Sequence, residues 1–271
     1  MTFVKIGPSL PNFASMLVLL SPSKTLNPTP CPLGERALTV PAGLQDAIDT
    51  MNALRLWSPS RIQEAMKVSP TLAAKVALWH AQWTPDSTHA AGWTFRGDAF
   101  KSLDMESFDG SGVDAAQTRL RILHGLYGML KPLDAFAPVR LEMGQNWSPD
   151  TAHRTMASLW KTKLPVMLAS EVDQGKHAFV LNLASAEYGD VALHGFDLCP
   201  VVECKFLENK GGTLKSISSF AKTARGAMAR HVLLQGIVNP DALKSFDGLG
   251  YQFSSEQSEG LKLVFTRTSQ A

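Results

Sequence analysis

The chain has 271 residues, 45% of them hydrophobic and 18% charged, and a formal net charge of +2 from 26 Lys/Arg and 24 Asp/Glu. This length can bury a large apolar core, and the balanced charge excludes a protein that is basic over its whole surface. Three cysteines are too few for a disulfide framework, and no apolar run approaches the ~18–20 residues that span a bilayer. We therefore expect a cytoplasmic protein with free thiols and no membrane partner.

The first half of the chain is predicted to be mostly helical after one strand. In chain order we predict a strand at residues 16–20, a loop at residues 28–32, and helices that begin at Pro41, Pro59 and Pro70. Ser58 and Ser69 precede two of these prolines and are expected to cap their helices. Residues 1–15 show no clear period, and we interpret them as a dispensable N-terminal extension.

The second half is predicted to be richer in strands. Apolar runs indicate strands at residues 177–183, 196–207, 213–220 and 261–267, and residues 221–235 have the composition of a helix. Residues 209–212 (NKGG) predict the turn of a hairpin. The simplest fold is one compact mixed α/β domain over residues 16–271, with a mixed β-sheet surrounded by helices.

Positive charge is concentrated in one segment. Residues 201–235 contain six Lys/Arg and two acids, a net charge of +4, which leaves −2 for the rest of the chain. On a helix, Lys222, Arg225 and Arg230 cover one arc of about 140° among small neighbours. This pattern allows a sugar-phosphate backbone to approach closely, although a solvated helix face has the same pattern.

Two glycines, Gly125 and Gly128, follow a predicted helix and precede Lys131. Glycines at this spacing can expose backbone N–H groups to an anion, and the pattern loosely resembles the turn of a helix-hairpin-helix unit. Such turns usually have one residue between the glycines, whereas here there are two. An ordinary helix C-terminus with a turn is the other interpretation.

Lys24 follows the predicted strand at residues 16–20 and forms a Ser-x-x-Lys spacing with Ser21. The companion motifs of serine acyl-enzymes are absent, so this chemistry is not predicted. A lysine at the carboxyl end of a strand is instead suited to binding an anion at the sheet edge.

Carboxylates at predicted strand ends and in loops are candidates for acid/base chemistry: Asp98, Glu142 and Glu187, the last followed by Tyr188. Structural ion pairing with Arg96, Arg140 or Lys131 is the alternative for each. The seven histidines show no i, i+4 pairing and there is no His-Glu-x-x-His motif, so neither a metal site nor a cofactor is predicted.

Several strings together resemble the YaaA family, also called UPF0246 or DUF328. They are MLVLLSPSKTL at residues 16–26, FRGD at 95–98, LHGLYGMLKPLD at 123–134, PVRLEMG at 138–144, NLAS with EY at 182–188, and AK with ARG at 221–226. The resemblance covers almost the whole chain from residue 16. Two departures are Lys131, where an arginine is common, and Ala186, where an acid often precedes Glu187.

The resemblance implies a cytoplasmic peroxide-stress protein that limits iron-driven oxidative damage. It further implies a single α/β fold with a positively charged cleft and a helix-hairpin-helix-like element that binds DNA. No cofactor and no established reaction come with the family.

Two functions follow from these patterns. The first is DNA binding with little sequence preference, through Lys222, Arg225 and Arg230. Lys24, Lys131 and Arg140 would extend the basic surface. Gly125 and Gly128 would offer backbone N–H groups to a phosphate. The second is an enzyme acting on a nucleotide, nucleoside or damaged base, with Asp98, Glu142, Glu187 and Tyr188 as catalytic groups. A buried pocket where Lys24, Asp98, Glu142, Asn182 and Glu187 converge would favour the enzyme. A wide basic groove with scattered carboxylates would favour binding alone.

Overall fold

A computed structural model describes residues 15–27 and 36–268 of the chain. Within them, one sheet contains eight strands: β1 (Ser15–Leu20), β2 (Leu120–His124), β3 (Gly128–Leu130), β4 (His177–Leu183), β5 (Val201–Lys210), β6 (Thr213–Lys215), β7 (Gln252–Phe253) and β8 (Lys262–Thr268). The α-helices are α1 (Leu44–Leu54), α2 (Pro59–Met66), α3 (Pro70–Gln82), α4 (Ala91–Thr94), α5 (Asp98–Leu103), α6 (Gly110–Arg119), α7 (Met156–Gln174), α8 (Ala186–Ala192) and α9 (Ser218–Leu234). Short 3₁₀ turns occupy Met105–Ser107, Pro240–Ser245 and Gly248–Gly250. The predicted loop at residues 28–32 and nearly all of the predicted extension lie outside the described residues.

The sheet is mixed, as predicted. Its order is β3-β2-β1-β4-β5-β8-β7, and β6 pairs with β5 beside this path. The five inner strands β2, β1, β4, β5 and β8 run parallel, whereas β3, β6 and β7 pair antiparallel. Helices cover the inner strands, and the predicted single compact α/β fold is confirmed.

β1 lies inside the sheet, with two strands of the path on one side and four on the other, and this position explains why residues 16–20 are uniformly apolar. Each of these five side chains is at most 1% exposed, because a parallel strand covered by helices is buried on both faces. β2 pairs with one edge of β1 and β4 with the other. The chain therefore leaves β1 toward one side of the sheet and later returns to the other side.

The two predicted serine caps are confirmed. The side chain of Ser58 accepts a hydrogen bond from the backbone N–H of Arg61 at the start of α2, and Ser69 accepts one from Leu72 at the start of α3. Each satisfies a backbone donor that the first turn of a helix leaves unpaired. The helix predicted to begin at Pro41 instead begins at Leu44, after a turn.

The predicted hairpin forms between β5 and β6, with Gly211 and Gly212 in its turn at positive φ. β6 is shorter than the predicted strand at residues 213–220, because the chain already enters α9 at Ser218. The predicted helix at residues 221–235 is confirmed as the body of α9.

The segment around Gly125 and Gly128 was predicted to follow a helix, and this is wrong. α6 ends at Arg119, and the residues before Gly125 form β2, which turns through Gly128 into the antiparallel β3. Every residue of β2 is buried, so its sequence lacks the alternation that separates a strand from a helix. The helix-hairpin-helix-like element is not confirmed: the glycines lie in a hairpin of two strands.

Candidate binding pocket

A pocket of about 270 Å³ lies at the carboxyl ends of three neighbouring strands, β2, β1 and β4. Its lining includes Leu20, His124 and Leu183, the last residues of these strands, which are buried and close its inner end. The strand order reverses at this point, since β1 is followed in sequence by β2 on one side and later by β4 on the other. In open α/β sheets, ligands bind in the crevice outside the carboxyl ends at such a switch point.

Loops that leave these strands bring three of the predicted charges together. Nζ of Lys24 lies 2.7 Å from Oε2 of Glu142, and a guanidinium nitrogen of Arg140 lies 3.0 Å from Oε1 of Glu142. The side chain of Lys24 is 62% exposed, against 28% for Glu142 and 16% for Arg140. Both carboxylate oxygens of Glu142 therefore have a cation already, as the ion-pairing alternative predicted, and the cluster keeps a formal charge of +1.

A close crossing of α5 and α9 forms another wall. A Cβ atom on Gly226 would lie 1.9 Å from the backbone oxygen of Ala99, so only glycine permits this separation of the two helices. The crossing places Asp98, the first residue of α5, in the same pocket lining as Lys222 and Arg225 of α9. The small residues of the ARG string are thus needed for packing.

Two cations of α9 line the pocket without a partner. Among residues 15–27 and 36–268, neither Lys222 nor Arg225 makes an ion pair or a hydrogen bond, and the Nε atom of Arg225 is fully buried. Burial lowers the pKa of Arg225 below its ordinary value, since the surroundings disfavour its charge. Asp98 is exposed and likewise has no partner in the described part of the chain. An unsatisfied, half-buried guanidinium is costly without an anion.

Glu187 and Tyr188, at the start of α8, hold the loop that carries Glu142. Oε1 of Glu187 accepts a hydrogen bond from the backbone N–H of Gly144 at 2.8 Å. The hydroxyl of Tyr188 lies at the backbone of Met143, which belongs to the same loop. Burial, together with the charge of Glu187, raises the pKa of Tyr188 above its ordinary value. Both residues line the pocket and also position one of its walls.

Four of the five residues predicted to converge in a pocket do so: Lys24, Asp98, Glu142 and Glu187. Asn182 does not line it. Its Oδ1 accepts a hydrogen bond from the backbone N–H of Ala184, and its side chain lies against Gly189 of α8. It therefore shapes the turn between β4 and α8.

The remaining cations predicted to bind an anion lie elsewhere. Lys131 forms an ion pair with Glu171 of α7 at 3.1 Å. Arg230 donates to the backbone oxygens of Leu103 and Asp104 at the end of α5. Neither lines the pocket.

Gly125 and Gly128 are buried in the β2–β3 turn and do not line the pocket. A Cβ atom on Gly125 would lie 2.3 Å from the backbone oxygen of Leu141, and one on Gly128 would lie 2.5 Å from the ring of Trp160. Gly128 also has a φ of +69°. Both glycines serve close packing, and Gly125 supports the loop of Arg140 and Glu142.

His124 is a pocket residue that the sequence analysis missed. Its Nδ1 accepts the backbone N–H of Leu126 at 3.0 Å, which places the ring proton of the neutral form on Nε2. Burial lowers its pKa to about 3. The signal was present in the sequence, because His124 ends an apolar run in the same way that Lys24 follows one.

Two serines were also missed as pocket residues. The side chain of Ser21 accepts a hydrogen bond from the backbone N–H of Ser185 at 2.8 Å and so joins the chain after β1 to the chain after β4.

In the described part of the chain, no group of three or more His, Cys, Asp or Glu side chains is placed to hold a metal ion. None of the described helices is long and apolar enough to cross a membrane.

Comparison with known proteins agrees with these features. The model of the family described as peroxide stress protein YaaA matches residues 16–257. A UPF0246 protein of Ruegeria sp. (strain TM1040) is 40% identical over 253 residues, which cover 93% of this chain and all of the relative. The buried β1 strand and the pocket loops that follow β1, β3 and β4 all lie within the matched region. The chain therefore belongs to the YaaA family of peroxide stress proteins, UPF0246.

Proposed function

We propose that this protein binds DNA at the pocket, mainly through the sugar-phosphate backbone, and thereby helps to limit iron-driven oxidative damage in the cytoplasm. The observation that carries the proposal is the pair of unpartnered cations, Lys222 and Arg225, in the lining of a pocket at the switch point of the sheet. The link to iron rests on the resemblance to the family alone.

Among the six cations predicted to bind an anion, the two on α9 are the best phosphate ligands. They lie three residues apart on one helix, so their side chains are neighbours on its surface. Neither has to give up a protein partner when a phosphate arrives. Lys24 and Arg140 would have to release Glu142, and Lys131 and Arg230 are held by their own partners, so we expect these four to contribute less.

The proposal is tested by fluorescence anisotropy of a labelled duplex at several salt concentrations. Replacing Lys222 and Arg225 together by Gln removes at most two phosphate contacts, and we expect the log–log salt slope to fall by about 0.9 for each contact that is lost. The control is Lys205→Gln with Lys210→Gln, two exposed lysines of β5 outside the pocket. If the α9 variant binds as the parent protein does, with the parent salt slope, these residues do not bind the DNA backbone.

A second function, an enzyme acting on a nucleotide, nucleoside or damaged base, is favoured by a separate observation. The pocket brings Asp98 and Glu142 together with Lys24 and Tyr188, in a concave site rather than along an open groove. Asp98 has no partner among the described residues and is free to accept a proton or a sugar hydroxyl. A base within duplex DNA would have to leave the stack to reach these groups.

The enzyme is tested by incubating the protein with nucleotides, nucleosides and oxidatively damaged duplex, and measuring base release by chromatography. We expect Asp98→Asn to abolish release while DNA binding persists. Asp49→Asn, on α1 and outside the pocket, is the control. Release that is unchanged by Asp98→Asn would remove Asp98 from the catalytic group, and no release from any substrate would leave binding as the function of the pocket.

A further inference from the structure

We propose that the pocket recognises a terminal phosphate monoester, the phosphorylated end of a DNA strand or a free nucleoside monophosphate, in preference to a phosphodiester within a strand. This inference rests on the proposed function, because it takes Lys222 and Arg225 as phosphate ligands. It specifies which phosphate they bind.

The first argument is the depth of the cation. The Nε atom of Arg225 is fully buried, whereas its terminal nitrogens are not, and no described residue accepts a hydrogen bond from this side chain. Lys222, one turn earlier on α9, is exposed. An anion that contacts both must therefore span from the exposed end of Lys222 to the half-buried side chain of Arg225 along the α9 wall.

The second argument is the size of the pocket. Its volume of about 270 Å³ is just below the usual range for ligand sites, about 300–1,000 Å³, and the buried ends of β1, β2 and β4 close its inner end. A phosphodiester inside a strand carries a nucleotide on each side, and both would have to enter with it. The end of a strand brings only one nucleotide.

The third argument is charge. A phosphate monoester carries about −1.5 to −2 at pH 7 and has three free acceptor oxygens. Two unpartnered cations match this charge, and the guanidinium of Arg225 can donate two parallel hydrogen bonds to it. The remaining charged groups of the lining are Asp98, Glu187 and the cluster of Lys24, Glu142 and Arg140. The +1 of that cluster offsets Asp98. Glu187 is hydrogen-bonded to Gly144 but keeps its charge of −1, so the lining as a whole carries +1 before the phosphate binds.

The experiment compares short single-stranded oligonucleotides of one sequence, labelled internally, that differ only at their ends. The ends are hydroxyl, 5′-phosphate, 3′-phosphate, and a 5′-phosphate capped as its methyl ester, which has the size of the phosphate but the charge of a diester. A fifth ligand, a free nucleoside monophosphate, is measured by calorimetry. We expect at least one phosphorylated end to bind about tenfold more tightly than the hydroxyl end, which corresponds to about one charge-assisted hydrogen bond. The methyl ester should lose most of this gain.

The preference for phosphorylated ends should disappear in Arg225→Gln. It should fall only in part in Arg225→Lys, because lysine keeps the charge but lacks the planar guanidinium. It should persist in the control Lys205→Gln. Cooperative thermal unfolding near the parent temperature shows that each variant is folded. The inference is overturned if all oligonucleotides bind equally tightly and lose binding in the α9 variant, while the proposed DNA binding then stands. If the nucleoside monophosphate binds and no oligonucleotide does, the pocket is a monoester site and the proposed DNA binding fails. Absence of binding to every ligand overturns both.

Discussion

Replacing Gly226 by Ala sets helix propensity against packing at the crossing of α5 and α9. In an isolated helix the change is favourable by about 1 kcal/mol, since Gly is a poor helix former. In this protein the added Cβ would lie 1.9 Å from the oxygen and 2.7 Å from the carbonyl carbon of Ala99. Both are backbone atoms, which cannot rotate aside as the end of a flexible side chain can, so α9 must move away from α5.

Overpacking of this kind costs typically about 1–3 kcal/mol, and this cost should exceed the gain in propensity. We expect Gly226→Ala to lower the urea midpoint, measured by circular dichroism, with an unchanged m-value. It should also change phosphate binding, because the shift of α9 moves Lys222 and Arg225 relative to the rest of the pocket lining.

The matched control is Ala227→Gly, the reverse change at the next, half-buried position of the same helix. It should cost about 1 kcal/mol through propensity alone and leave phosphate binding intact. A Gly226→Ala variant that is as stable as the parent protein, or more stable, would refute the reasoning, since propensity would then outweigh the contact with Ala99.

Three further predictions concern other contacts. Glu187→Ala should cost about 1 kcal/mol in urea unfolding by leaving the N–H of Gly144 without its acceptor, and a loss below the measurement error would show that water replaces it. The folded-state pKa of His124 is about 3, below the ordinary 6.5, so the unfolded chain binds more protons than the folded protein between these two pH values. The free energy of unfolding therefore falls as the pH drops through this window, by up to about 1.4 kcal/mol per pH unit. In His124→Asn, which keeps an acceptor for the backbone, the melting temperature should depend less steeply on pH over this range, and an unchanged dependence would assign it to other groups. Ser58→Ala should cost about 1 kcal/mol by removing the cap on Arg61, and Ser58→Asp should restore stability if capping is the cause.

Sequence patterns predicted elements that have clear ends, but they did not predict α7, the longest described helix. The buried run of β1, the serine caps of α2 and α3, and the turn between β5 and β6 all have local physical causes that a sequence displays. β2 was mistaken for the end of a helix because its five residues are buried on both faces, and what makes them a strand is pairing with β1, about 100 residues earlier. No local pattern records that pairing.

The candidate site was predicted in part for the same reason. Residues at strand ends, such as Lys24 and Glu187, share one edge of the sheet, so their convergence follows from a parallel topology. Angular position on a helix was a weaker guide. Arg230 lies on the same arc of α9 as Lys222, but α5 runs beside α9, and its carboxyl end takes the guanidinium of Arg230. Glu187 and Tyr188 hold the loop that carries Glu142, and the spacing of residues in the sequence does not predict this contact.

The interior place of β1 in the sheet has a consequence for biosynthesis. Its apolar residues leave the ribosome before both of its neighbours, and one of these, β4, begins only at His177, more than 150 residues later. At about 5–20 residues per second, this strand waits roughly 8–30 s for that partner, with unpaired backbone groups exposed at one edge or both. A nascent chain in this state is prone to intermolecular pairing. We expect the nascent chain to depend on a holding chaperone until β4 is complete.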